Sequence, residues 1–230
     1  MKAAVLQSNY IPWKGYFDII HDVDLFVFYD DVQYTKRDWR NRNIILTANG
    51  PQYLSVPVSA RRETLIYECK IADTKWQNKH YQALLTNYAN APYFRQYKDF
   101  LEYVYLETTW THLYELNQFL IKKIARDFLG IKTAFSDSRQ YHATGVKHER
   151  LLSIVRETGA ASYLSGPAAK SYIDADDYMR EGIELLWKDY SGYPEYPQRY
   201  ESFNHQVSIL DLLFNTGDDA PYYIWGWREK

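Results

Sequence analysis

Cysteine is nearly absent from this chain. Cys69 is the only one in 230 residues, which excludes an intrachain disulfide and fits a reducing compartment. Its neighbours Glu68 and Lys70 lie in an apparent strand with no histidine close in sequence, so the thiol reads as structural rather than nucleophilic. An excess of one charge is absent too. The 27 Lys and Arg against 29 Asp and Glu leave a net charge of −2. No global field therefore draws the chain to nucleic acid or membrane, and any basic site must be local. No apolar run approaches the length of a membrane span. The opening Met1-Lys2-Ala3-Ala4-Val5-Leu6 stops at Gln7, too short for the apolar core of a signal peptide. A soluble, cytoplasmic protein is the expectation. No Cys/His cluster has zinc spacing, and Trp76-Gln77-Asn78-Lys79-His80 lacks a second ligand one turn on, so no metal site is expected. Gly166-Pro167-Ala168-Ala169-Lys170-Ser171 lacks the second glycine of a P-loop, and Ser165 is not in a G-x-S-x-G elbow.

Aromatic residues are what the chain has in excess, at 17%, with 23 Tyr and 7 Trp. Two readings stand side by side: rings interleaved through the core, or a cleft lined with rings that stack on sugars, bases or amines.

Hydrophobic patterning predicts strands over 2–7, 25–29, 43–48, 52–58, 64–71, 132–136, 161–165 and 183–187. Helices are expected over 15–22, 146–158, 174–181 and 206–215. Between 74 and 129 the character changes to long helices. Asp73 or Thr74 can cap the first, Ala91-Pro92 separates it from the second, and the third runs from about Thr111 to Phe128 and stops at Gly130. Asn49-Gly50 is the strongest hairpin signal. The predicted fold is α/β: a mostly parallel, Rossmann-like sheet with a β-hairpin excursion. A single domain is expected, with its core over about 1–72 and 131–230 and a helical insertion over about 73–130.

Polar chemistry concentrates where two buried strands end, the place where open α/β sheets hold ligands. The first strand runs into Gln7, Ser8, Asn9, Tyr10, Trp13, Lys14 and Tyr16. The second runs into Asp30, Asp31, Gln33, Tyr34, Lys36, Arg37, Trp39, Arg40, Asn41, Arg42 and Asn43. Guanidinium groups bind phosphate in a bidentate fork, and the neighbouring rings can stack on a base or sugar. This is what a nucleotide-sugar site requires, with a solvated loop as the plain alternative. Asp30 and Asp31 point to opposite faces of a strand, so one could hold Mg²⁺ or accept a proton while the other caps the turn. His80 is either a helix histidine or a base. Ser165-Gly166 ends another buried strand and can offer a hydroxyl and backbone N–H groups. His142-Ala143-Thr144-Gly145, with Lys147 and Arg150, either binds phosphate or supplies Thr144 as a helix cap. His205 follows a loop whose Tyr193, Tyr196 and Gln198 could close over a substrate or form a rigid surface loop.

The segments Gln7–Phe17, Asp30–Tyr34 and Trp39–Asn43 resemble the WbqC-like family. The likeness continues through Leu54–Val58, Trp76 with His80, Tyr163–Gly166 and Ser208–Asn215, and so covers nearly the whole chain in order. Members usually carry Pro where this chain has Ser8. The family is associated with bacterial polysaccharide and O-antigen gene clusters. The resemblance implies work on amino sugars in lipopolysaccharide biosynthesis, with glycyl or other aminoacyl transfer. The layout of strand, polar turn and helix start is also similar to the opening of pantothenate synthetase and other HIGH-motif nucleotidyl-transferring folds. Those folds meet ATP phosphates with two histidines, whereas this chain has Lys14-Gly15-Tyr16. Lys14 could supply positive charge at that helix N-terminus.

The expected function is a transferase forming an amide on a nucleotide-linked amino sugar, with ATP and Mg²⁺ as candidate cofactors. The attacking amine must be neutral, which asks for a base: Asp30, Asp31 or His80. Lys36, Arg37, Arg40 and Arg42 would hold the diphosphate, and Trp39 would pack on the sugar or base. No DNA partner or membrane insertion is expected. An aminoacyl-tRNA donor would need a broader basic face than a chain of net charge −2 obviously supplies. The alternative is a non-catalytic sugar-binding protein of a polysaccharide assembly system.

Overall fold

The computed structural model describes residues 1–200 and 202–229. Five parallel strands form the central sheet: β1 (Lys2–Leu6), β2 (Leu25–Phe28), β7 (Ala134–Asp137), β8 (Ser162–Ser165) and β9 (Glu184–Trp187), in the spatial order β7-β2-β1-β8-β9. In order of appearance this is 3-2-1-4-5, the strand order of a doubly wound sheet. The chain moves outward from β1 through β2 to β7, then crosses back to β8 and β9. The topological switch point therefore lies between β1 and β8. Gln7 and Ser8 follow β1 there, and Gly166 follows β8.

Strand periodicity assigns the two faces of the sheet. Ala4, Phe26, Phe28, Leu164 and Leu186 face one apolar cluster; Ala3, Val5, Val27, Tyr163 and Leu185 face the other. The second face is covered by α5 (His148–Glu157) and α6 (Ala175–Arg180). The first is covered by α1 (Lys14–His21) and α7 (Ile209–Thr216), together with the helical block of α2 (Lys75–Tyr88), α3 (Lys98–Glu102) and α4 (Leu113–Lys123). Leu84, Leu116 and Leu120 of that block share one buried cluster with Phe26 and Phe28 of the sheet. Asp73 supports the start of α2 by accepting Lys75 N–H at 2.8 Å. The expected third helix is continuous, but its last turn, Ile124–Phe128, widens to π geometry before Gly130 at φ +67° ends it. No helix among the described residues is long and apolar enough to cross a membrane.

The hairpin pairs β3 (Arg42–Thr47) with β4 (Gly50–Ser55), and its turn sits one residue earlier than the sequence predicts. Ala48 and Asn49 make the turn, and Gly50, opposite Thr47, opens β4 at φ +96°, a backbone conformation that glycine takes without a Cβ penalty. The strand expected over 64–71 does not form. Its backbone is diverted, with Thr64 O and Ile66 N–H pairing with Tyr34 and Val32 and Tyr67 N–H reaching Asp30 O. A 3₁₀ turn follows over Ile66–Glu68, and only β6 (Lys70–Ile71) pairs, with β5 (Val58–Ser59). Cys69 closes that turn, fully buried, with burial pushing its thiol up to about 11. Thr144 does not cap α5. Lys147, at φ +49°, holds the cap position, and Thr144 N–H instead meets Ser153 Oγ.

Candidate functional site

Two polar strand ends, about thirty residues apart in sequence, are stitched into one structure. Arg40 sends its two Nη groups to the carboxamide oxygens of Asn9 and Gln7. Tyr10 N–H donates to Trp39 O at 3.0 Å, and Asn43 Nδ2 donates to Tyr10 O and Ile11 O at 3.1 and 2.9 Å. From α4, Asn117 Nδ2 adds a bond to Arg40 O at 2.8 Å and a longer one to Ser8 Oγ. Tyr16 OH closes the loop from below on Gln7 O at 2.9 Å. Ile11 lies at φ +36°, a strained position for a β-branched residue and of the kind that clusters at ligand sites.

These contacts frame a cleft of about 300 Å³ lined by Asn9, Pro12, Trp13, Trp39, Asn43 and Gln206. Its wall offers three carboxamides, two indoles and a proline, with no ionised side chain among them. Trp13 is held in place by its surroundings. Its ring lies over Gly15, where a Cβ would come within 2.3 Å of it, and it meets Tyr190 and Tyr193 edge-on at 5.2 and 6.1 Å. Four predicted ligand residues, Asn9, Trp13, Trp39 and Asn43, therefore share one cleft. Pro12 lies inside the predicted segment, but Gln206 comes from the far end of the chain and sequence reasoning missed it.

None of the four predicted phosphate-binding cations lines the cleft. Arg40 turns inward, with Asp38 at 3.7 Å, and burial lowers its pKa. Arg42 lies over the Tyr53 ring at 4.4 Å and donates to Arg37 O at 2.5 Å, while Lys36 and Arg37 are exposed. Gln33 Nε2 reaches Arg62 O at 2.5 Å, and Tyr34 is buried with its N–H on Thr64 O. Asn41 Nδ2 holds Val56 O at 2.8 Å. Ser165 is buried and accepts Tyr163 OH at 3.4 Å, with Gly166 following it at the switch point. Lys14 does not face the start of α1. Its Nζ, in a residue only 2% exposed, donates to Pro194 O at 3.3 Å and lies over the rings of Tyr193, Tyr196 and Phe203 at 4.8, 5.4 and 6.0 Å. Burial lowers its pKa to about 8, against the pull of Asp18.

The three proposed bases lie outside the cleft lining. Asp30 is fully buried and accepts Ser8 N–H at 2.8 Å and Gln118 Nε2 at 2.9 Å; burial raises its pKa. The same Gln118 nitrogen donates to Asp137 at 2.9 Å, whose carboxylate grips Arg139 through two bonds. β2 ends at Phe28, so Asp30 and Asp31 follow the strand rather than lie in it; Asp31 turns to Arg150 of α5 and to Ser138 Oγ, the latter at 2.5 Å. His80 is 5% exposed, bound to Tyr10 OH at 2.8 Å and ringed by Tyr10, Trp76 and Tyr105. Burial pushes it down to about 4, so it is neutral near pH 7. No group of three or more His, Cys, Asp or Glu able to hold a metal occurs among the described residues.

Beside the cleft, the loop from Asp189 to Val207 is anchored by buried acids that the sequence did not flag. Asp18 accepts two bonds from Arg228 at 2.9 and 2.6 Å, one from Tyr193 OH, and an ion pair from Lys188 at 2.8 Å. Asp211, whose pKa burial raises, receives Tyr88 OH and Tyr196 OH at 2.7 Å each and Gln198 Nε2 at 2.9 Å. His205 leads into Gln206 with a buried Nδ1 that has no partner. Burial, then the nearby Lys14 charge, lowers its pKa.

Among curated proteins, the chain is 46% identical over 225 residues to the uncharacterized protein Rv1507c of Mycobacterium tuberculosis, and the match covers 97% of each. No solved structure matches it. The model of the WbqC-like protein family matches residues 7–223, which takes in both stitched strand ends and every residue lining the cleft. With nearly its full length accounted for, the chain belongs to the WbqC-like protein family.

Proposed function

We propose that this chain binds an amino sugar carried on a nucleotide and acylates its amine, with glycine or a related acyl group, in the making of bacterial surface polysaccharide. The observation that supports this reading is the wall of the cleft. Indole faces pack on the C–H faces of a sugar ring, and carboxamides both donate to and accept from hydroxyls. A volume of about 300 Å³ is at the small end for ligand sites, so the sugar sits inside and the nucleotide lies toward the Trp39 rim. Among the predicted cations, Arg40 is the one bonded to a cleft-lining residue, Asn9, with Asp38 also 3.7 Å away, and this reading assigns the phosphate to it.

In the reaction, the neutral amine attacks the acyl carbonyl, the C–N bond forms, the bond to the leaving group breaks, and the amine's proton passes to a base. Asp30 and Asp31 are already saturated with donors. His205 precedes the cleft-lining Gln206, and its Nδ1 has no partner among the described residues, so this reading assigns it the proton. ATP and Mg²⁺ remain part of the proposal as the activating pair, with the ion held chiefly by the phosphates themselves.

A non-catalytic sugar-binding role is the second reading, favoured by one observation: none of Asp30, Asp31, His80 and His205 lines the cleft. Incubation with ATP, Mg²⁺, glycine and a panel of nucleotide-linked amino sugars separates the two. A mass gain on the sugar that His205→Gln abolishes supports the transferase. Calorimetric binding without any mass gain supports the second reading. Absence of binding to every sugar in the panel overturns both.

A further inference from the structure

Basic residues crowd one face outside the cleft. Lys36, Arg37, Arg61 and Arg62 are exposed and Arg42 is half-buried, and none of the five pairs with a carboxylate among the described residues. Two separate segments bring them together. Gln33 Nε2 holds Arg62 O, and Tyr34 N–H holds Thr64 O, laying the 61–64 turn beside the start of the 33–42 stretch. Arg42 Nη2 holds Arg37 O and ties the far end of that stretch to the hairpin. Against these cations stand Glu63 and Asp38, and Asp38 is already engaged by Thr35, Trp39 N–H and Arg40. Two rings stand among the cations: Trp39 is 41% and Tyr53 48% exposed, with centroids 6.4 Å apart. Three consecutive residues here, Arg40, Asn41 and Arg42, each carry a buried polar atom without a partner, a condition that native structures normally relieve with a ligand or water.

From this juxtaposition we propose that the Lys36–Arg42, Arg61–Arg62 and Tyr53 surface binds the end of a single-stranded polynucleotide. Five unpaired cations exceed what one diphosphate needs, and exposed rings interleaved with cations are how single strands are held, by phosphate contact and base stacking. The near-neutral whole chain does not argue against this, because the field that matters is local. Trp39 also lines the cleft, so a strand end stacked on it reaches the cleft mouth. The proposal does not rest on the transferase reading, and the surface meets the cleft at Trp39.

The test is fluorescence anisotropy with a labelled single-stranded RNA of about twelve nucleotides, repeated with the DNA of the same sequence, duplex RNA, heparin and vesicles containing phosphatidylglycerol. Five phosphate contacts predict a log–log salt slope of about −3.5, a loss of about a hundredfold between roughly 50 and 200 mM salt. Arg61→Ala with Arg62→Ala flattens the slope to about −2. Tyr53→Ala weakens binding by about five- to a hundredfold, and Lys132→Ala, an exposed cation elsewhere, changes nothing. Binding of both single strands supports the proposal, and binding of RNA alone supports it and names the source. Absence of single-strand binding, equal binding of duplex or heparin with no effect of Tyr53→Ala, or binding of vesicles only, each overturns it. The patch variants leave sugar affinity at the cleft intact while Trp13→Ala removes it, so failure here is distinct from failure of the transferase reading.

Discussion

Replacing His80 with glutamine tests whether this imidazole is a structural element of the core. The ring is 5% exposed. Its Nδ1 is hydrogen-bonded to Tyr10 OH at 2.8 Å, and the ring also meets the Ser55 backbone. Burial moves its pKa from 6.5 to about 4. The folded value lies below the unfolded one, so between those two pH values the unfolded chain holds a proton that the folded chain refuses. Stability from this group is therefore fully present above pH 6.5 and is lost as pH falls toward the folded pKa. The linkage relation gives a loss of about 2 kcal/mol at pH 5 and about 3 kcal/mol by pH 4. Glutamine keeps a donor and an acceptor but does not titrate. Urea denaturation of His80→Gln at pH 7 and pH 5 is expected to show a pH-dependent loss about 2 kcal/mol smaller than in the parent chain. Every other titrating group is common to both proteins, so the difference isolates His80. Equal losses in the two proteins, or an imidazole that titrates near 6.5 by NMR in the folded chain, would refute the reasoning.

Gly15→Ala puts a Cβ within 2.3 Å of the Trp13 ring. The gain of about 1 kcal/mol in helix preference offsets part of the overpacking cost, so the melting temperature moves little. Affinity for a nucleotide-linked amino sugar falls about tenfold or more as Trp13 leaves the wall, and unchanged affinity by calorimetry counts against the cleft. Asp18→Asn strips the anion from Arg228 and one of two from Lys188, which keeps Asp22 at 2.5 Å. It should lower stability by about 3 kcal/mol, read as a urea midpoint shift; a loss under about 1 kcal/mol would show that the cations find other partners. Asn43→Ala leaves Tyr10 O and Ile11 O without their donor. It should cost about 2 kcal/mol and speed amide exchange over residues 9–13, and unaltered exchange there would show that the turn does not depend on it.

The sheet was legible because its strands announce themselves locally. The Leu25–Phe28 run is apolar on both faces, which only a covered parallel strand needs. Asn49-Gly50 marked the hairpin, though the turn type placed Gly50 after the bend rather than within it. The 64–71 stretch misled because Ile66 and Tyr67 have strand preference, while backbone partners at Asp30 and Val32 captured their N–H groups. For the site, the sequence located the two strand ends but not the direction each side chain takes. Lys14 sits at a helix start, where charge on an anion is the natural reading. Its amine instead runs under a loop that begins some 180 residues later. Gln118, Arg150 and Arg228 meet Asp30, Asp31 and Asp18 across 88, 119 and 210 positions. No spacing rule reaches that far, so these partners become visible only once the sheet has closed.

Ile11 sets the shape of the cleft wall through core packing. A β-branched residue at φ +36° costs about 1–3 kcal/mol of backbone strain, and a glycine would remove that cost. But Ile11 is fully buried in the main apolar cluster, and burial of such a side chain contributes about 1.5–3 kcal/mol, so the strain is offset within the core itself. The neighbouring carbonyls are then fixed from two directions, Tyr10 O and Ile11 O by Asn43 and Pro12 O by Ile209 N–H at 2.9 Å. Core packing therefore sets the angle at which Asn9, Pro12 and Trp13 face the cleft. A ligand entering it meets a rim that is already ordered, and its binding energy is not spent on arranging the wall.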